Sequence, residues 1–86
     1  MKCYSVMPMG WDYKHKEEIE ELKQQGCHSP YEVEGLVGSC GSLYPYITTK
    51  KGAINFVKNL KSQFPYVCFD LMVGDNWGEL ELVQSF

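Results

Sequence analysis

Apolar residues recur at helical spacing most clearly in Thr48–Pro65, "TTKKGAINFVKNLKSQFP". Ala53, Phe56, Val57, Leu60 and Phe64 fall on one side, and Lys51, Asn55, Lys58 and Ser62 on the other. That pattern predicts a helix buried along one face. Thr48 or Thr49 can accept a hydrogen bond from the first free amides, and Pro65 cannot extend the ladder, so both ends are marked.

The period changes from helical to alternating in Tyr66–Phe86, "YVCFDLMVGDNWGELELVQSF". Val67, Phe69, Leu71 and Val73 alternate with Tyr66, Cys68, Asp70 and Met72, and Leu80 and Leu82 alternate with Glu79 and Glu81. The expectation is a hairpin with a two-residue loop at Asp75-Asn76, which sets Leu71 opposite Leu80 and Phe69 opposite Leu82. The same register sets Asp70 opposite Glu81 on the other side. Trp77 then stands at the hairpin tip beside Gly78, as an exposed aromatic anchor or a lid folded over Tyr44 or Tyr46.

The front half is less regular. "KCYSVM" alternates as a strand, with Tyr4 and Val6 on one side and Cys3, Ser5 and Met7 on the other. "DYKHKEEIEELKQQG" has Asp12 as a cap and Gly26 as a stop. Only His15, Ile19 and Leu22 share a face, so this helix should lie shallowly on the surface. In Ser29–Gly38, Ser29 as cap, Pro30 at the first position and Glu32 at the third make a capping-box pattern. Val33, Leu36 and Val37 follow at helical spacing. The alternation of Tyr31-Glu32-Val33-Glu34 permits a strand instead, and Gly35 weakens the helix. "SLYPYI" fits a short edge strand, because Pro45 cannot donate to a ladder.

Together these elements predict one small α+β domain, residues 1–86, with helices on one face of a mostly antiparallel sheet. With a strand over 30–37 the order becomes βαββαββ, close to a ferredoxin-like plait with an extra C-terminal strand.

Composition changes this picture in three ways. Hydrophobic residues make up 44% of the 86 and aromatics 14%, enough for a packed core. The N-terminal "MKCYSVMPMGWDY" holds no apolar run of signal-peptide length, which points to a cytoplasmic protein, and no segment is long enough for a membrane span. Four cysteines are then expected as reduced thiols.

All eight basic residues are lysine, and the formal net charge is −3. Without arginine the chain lacks the planar fork that grips phosphates and guanine edges, which argues against nucleic acid as a partner. An AT-rich bacterial or phage genome would explain that usage. The charge is also segregated: residues 48–65 carry four lysines and no acid, whereas 66–86 carry Asp70, Asp75, Glu79 and Glu81 and no base. Elements of opposite sign attract where they pack together.

Few residues suggest chemistry. Cys27, His28 and Cys40 could line a small-molecule or catalytic pocket roofed by Trp11 and Tyr31. However, Cys27 and His28 are adjacent and Cys40 stands alone, a poor spacing for zinc, and neighbouring side chains in a loop tend to diverge. No cofactor or metal is expected. Thr49, Lys50 and Lys51 could make a small anion site at a helix start, although solvent or the acidic hairpin would equally satisfy the lysines.

The stronger feature is the sheet side away from the helices. Tyr66, Cys68, Asp70 and Met72, with Trp77, Glu79 and Glu81 of the acidic hairpin, compose a surface of the kind found at interfaces. The sequence therefore reads as a non-enzymatic interaction module, an adaptor or stoichiometric inhibitor. It would bind another protein or form a homodimer through that face. The other reading is a small enzyme using the cysteine/histidine pocket.

Overall fold

A computed structural model describes residues 3–43, 46–75 and 79–86. Strand β1, Cys3–Trp11, leads through a 3-10 turn at Tyr13–His15 into helix α1, Lys16–Gln24. A second 3-10 turn, Pro30–Glu32, precedes the short helix α2, Leu36–Ser39, and the two-residue strand β2, Gly41–Ser42. Helix α3, Lys50–Gln63, then crosses to strand β3, Val67–Gly74, and edge strand β4, Glu81–Ser85. The sheet order is β2-β1-β3-β4 and every neighbouring pair is antiparallel. The α+β class with helices on one face is thus observed.

Local chemistry explains the helix ends. The Thr49 hydroxyl accepts from the Gly52 amide at 3.1 Å to open α3, as an N-cap should. Asp12 caps the turn into α1 by accepting from Lys14 N. Gly26, at φ 99°, closes α1, while the Cys27 amide reaches back to the Leu22 carbonyl. Glu32 accepts from the amides of His28 and Ser29, so the anticipated cap forms. The helix after it is interrupted, because Gly35 turns left-handed at φ 82°. Residues 30–37 hence give two short helical pieces and no strand, and the strand order contingent on one there is not realised.

One core lies between the helices and the sheet. Ala53, Val57 and Leu60 of α3 pack with Val67, Phe69 and Leu71 of β3 and with Tyr4, Val6 and Trp11 of β1. Ile19, Val33, Leu36 and Leu43 close its sides, and Phe56 and Phe64 are half-buried against it. These are the helix and strand faces that the periodicity marks out.

Three expectations are corrected. β1 runs four residues past Met7, through Pro8 and a bulge at Met9. The prolyl nitrogen needs no partner there, since β2 pairs only with Ser5 and Val6 and leaves that stretch of β1 at the sheet edge. The second edge strand is Gly41–Ser42 rather than Ser42–Ile47; Tyr46 lies in a turn and is 92% exposed, and Tyr44 and Pro45 lie outside the described residues.

The third correction is the hairpin register. Val73 pairs with Glu81, Met72 with Leu82, Leu71 with Gln84 and Asp70 with Ser85, and Phe69 exchanges both backbone hydrogen bonds with Phe86. The connection between β3 and β4 spans residues 75–80, so a two-residue loop is excluded. Packing supplies the reason. This register, with a bulge between Leu71 and Met72 pairs, brings Val83 and Phe86 against the core. The tight-loop register would carry Phe86 beyond the end of β3 and turn Val83 to the opposite face. Val83 and Phe86 gain these core contacts while Leu82 is left 55% exposed.

Candidate functional site

The register determines what the far side of the sheet presents. Tyr4, Val6 and Pro8 pair with Val73, Leu71 and Phe69 on the helix side, so Ser5 and Met72, and Met7 and Asp70, share the other side. Leu82 joins them as the partner of Met72. None of Cys3, Met7, Met9, Cys68, Met72 or Leu82 belongs to the core cluster, and no described helix covers them. Met7 is 41% exposed, Met9 57% and Leu82 55%. Cys3 and Ser5 are buried on this side, and Cys68, Asp70 and Met72 are half-buried. The result is an apolar, methionine-rich floor with a single carboxylate, Asp70, between Met7 and Ser85.

Two residues expected on this face are elsewhere. Tyr66 precedes β3 and packs on the core side, its ring 6.2 Å from Trp11 and 6.4 Å from Phe64. Burial, helped by the neighbouring Cys27 thiol, pushes its hydroxyl above the usual tyrosine range. Glu81 pairs with Val73, so it is turned from Asp70 and the anticipated side-by-side carboxylates do not form. Glu79 is exposed near the hairpin end. Trp77 lies outside the described residues. Leu82 is the residue that the alternation concealed, because only the long connection places it on the open side.

At the β1 edge this floor meets a recess of about 290 Å³ lined by Ser5, Met7, Pro8, Tyr31, Val37 and Cys40. The Tyr31 hydroxyl donates to the Pro8 carbonyl at 2.9 Å. Of the three residues proposed for a reactive pocket, only Cys40 is here, and burial raises its thiol above the ordinary range, which disfavours the nucleophilic thiolate. Cys27 instead donates its thiol to the Glu32 carbonyl at 3.6 Å and packs on the core. His28 is exposed. Trp11 is buried in the core and does not line the recess that holds Cys40. Among the described residues, no three of His, Cys, Asp and Glu converge as metal ligands.

At the α3 start, the Thr49 hydroxyl is engaged by Gly52 and Lys50 and Lys51 are exposed. Among the described residues, the lysine that pairs with an acid does so away from the hairpin. Lys61 reaches Asp12 Oδ2 at 3.0 Å and the Val67 carbonyl at 2.7 Å. It ties α3 to the end of β1 and the start of β3. This pair was not legible from spacing, since its members lie 49 positions apart.

No family model, curated protein or solved structure matches this chain. No helix among the described residues is long and apolar enough to cross a membrane.

Proposed function

We propose that this protein is a cytoplasmic protein-interaction module, an adaptor or stoichiometric inhibitor, that binds through the open face of its sheet. The observation that carries this reading is the cross-strand pair of Met72 and Leu82, with Met7 diagonal to Met72 and Met9 further along β1, on a face that no described helix covers. Adjacent exposed apolar side chains on a flat surface gain by being covered. Methionine is suited to such a role, because its unbranched, polarisable side chain adapts to a partner's contours. The free thiols suit a reducing compartment.

The enzymatic alternative has weaker support, since Cys27 and His28 do not line the recess that holds Cys40. Capture from a host extract tests the interaction reading. Wild-type protein should retain a partner that the Leu82→Lys and Met72→Lys variants, with unchanged melting temperatures, do not. Equal capture by all three would remove the open face from consideration.

A further inference from the structure

We propose that the occupant of the open face is a cationic amphipathic helix of a partner protein, with a lysine or arginine set to meet Asp70. This rests on the interaction reading above and specifies the partner's chemistry.

Charge favours a cationic partner. β1 carries no charged residue and β3 carries only Asp70; the connection adds Asp75 and Glu79 at the hairpin end, while Glu81 lies on the helix side opposite Val73. The described lysines all stand on α1, on α3 or on the turn leading into α1. The face that no described helix covers therefore carries Asp70 and no described lysine. Asp70 itself is half-buried and forms no salt bridge among the described residues. Covering it with an apolar surface alone would strand a carboxylate out of water, at a cost that a cation in the covering layer offsets.

The dimensions of the face favour a helix. The eight residues of β3 extend roughly 26 Å at the usual strand rise, the length of a helix of about 18 residues. β1, β3 and β4 lie side by side at about 4.8 Å spacing, a width of about 10 Å that one helix covers. Such a helix would complete a third layer, helix on sheet on helix. Its apolar stripe would cover Met7, Met72 and Leu82, as helices do in adaptable methionine-lined grooves.

The same charge distribution disfavours the other occupants. A second copy of this sheet would oppose acid to acid, and an anionic membrane surface or a nucleic-acid backbone would be repelled.

Two labelled peptides of about 18 residues, with identical leucine stripes, test the inference. One carries lysine on its polar face and the other glutamate. Fluorescence anisotropy at about 0.15 M salt should show the lysine peptide binding at least about tenfold more tightly. Asp70→Asn should weaken it about fivefold, and Leu82→Lys should abolish binding. Glu20→Gln, which removes one negative charge from the exposed side of α1, should leave binding unchanged. Equal affinity for both peptides, binding of neither, or equal losses from Asp70→Asn and Glu20→Gln would overturn the inference. If extract capture still depended on Leu82 in those cases, the interaction reading would stand and only the partner's charge would be wrong.

Discussion

Met72 lies opposite Leu82 across β3 and β4, whereas alternation with a tight loop pairs Leu71 with Leu80. That displacement exposes a leucine and draws Phe86 to the core. It also converts a surface expected to end in carboxylates into one dominated by methionine and leucine.

The register has a direct energetic test. Leu82→Ser should change stability by no more than about 0.5 kcal/mol, as at other exposed positions. Phe86→Ala should cost about 1–3 kcal/mol, less than a fully buried aromatic because Phe86 is only half-buried. Urea denaturation of both variants measures the difference. A reversed order would restore the tight-loop pairing.

What the sequence makes legible follows from the range of the interactions involved. α3 is readable because its cap at Thr49 and its stripe of Ala53, Val57 and Leu60 all lie within one segment. The break at Gly35 is local too, but it competes with a valid capping pattern a few residues earlier. Whether Pro8 ends β1 depends on how far β2 extends, and β2 is set by residues more than thirty positions away. The β4 register depends on where Phe86 finds a partner, a question of tertiary packing rather than of alternation. The open face is legible in the alternation of β3, whereas the place of Leu82 on it is not.

The Asp12–Lys61 bridge makes stability depend on acidity. The hydrogen bond from Lys61, followed by that from the Lys14 amide, holds the Asp12 carboxyl below the ordinary aspartate range. A depressed native pKa stabilises the fold above the unfolded-state value, about 3.9, and that contribution is lost as pH falls through the native value. Wild type should therefore exceed Asp12→Asn in stability at neutral pH, and the gap should close on acidification below about pH 4. Lys61→Met should remove the same acid-sensitive component. A constant gap across that range would mean that the bridge contributes no charge-dependent stability.

Thiol reactivity separates the interaction reading from the enzymatic one. Burial raises the Cys40 thiol, and Cys3 is buried in the sheet. At pH 7 both should label more slowly than a free thiol of pKa about 8.5, with Cys40 accelerating as pH rises. A cysteine that labels much faster than glutathione would revive the enzymatic alternative.

The exposed edge of β1 supplies the last prediction. Beyond the two residues paired with β2, this edge could recruit a strand from another molecule. Pro8 presents no amide there, and the Tyr31 hydroxyl occupies its carbonyl at 2.9 Å. Together they remove the donor and engage the acceptor at one position, which blunts the edge as a template. Tyr31→Phe should cost about 0.5–1.5 kcal/mol for the lost hydrogen bond, with little loss of packing because the ring remains. Pro8→Val should restore a free amide on a β-branched residue that favours strands. In the double variant both groups become available, so concentration-dependent association should appear, measured by light scattering, where either single variant remains dispersed. If the double variant stays monomeric at high micromolar concentration, the edge is protected by something other than this proline–tyrosine pair.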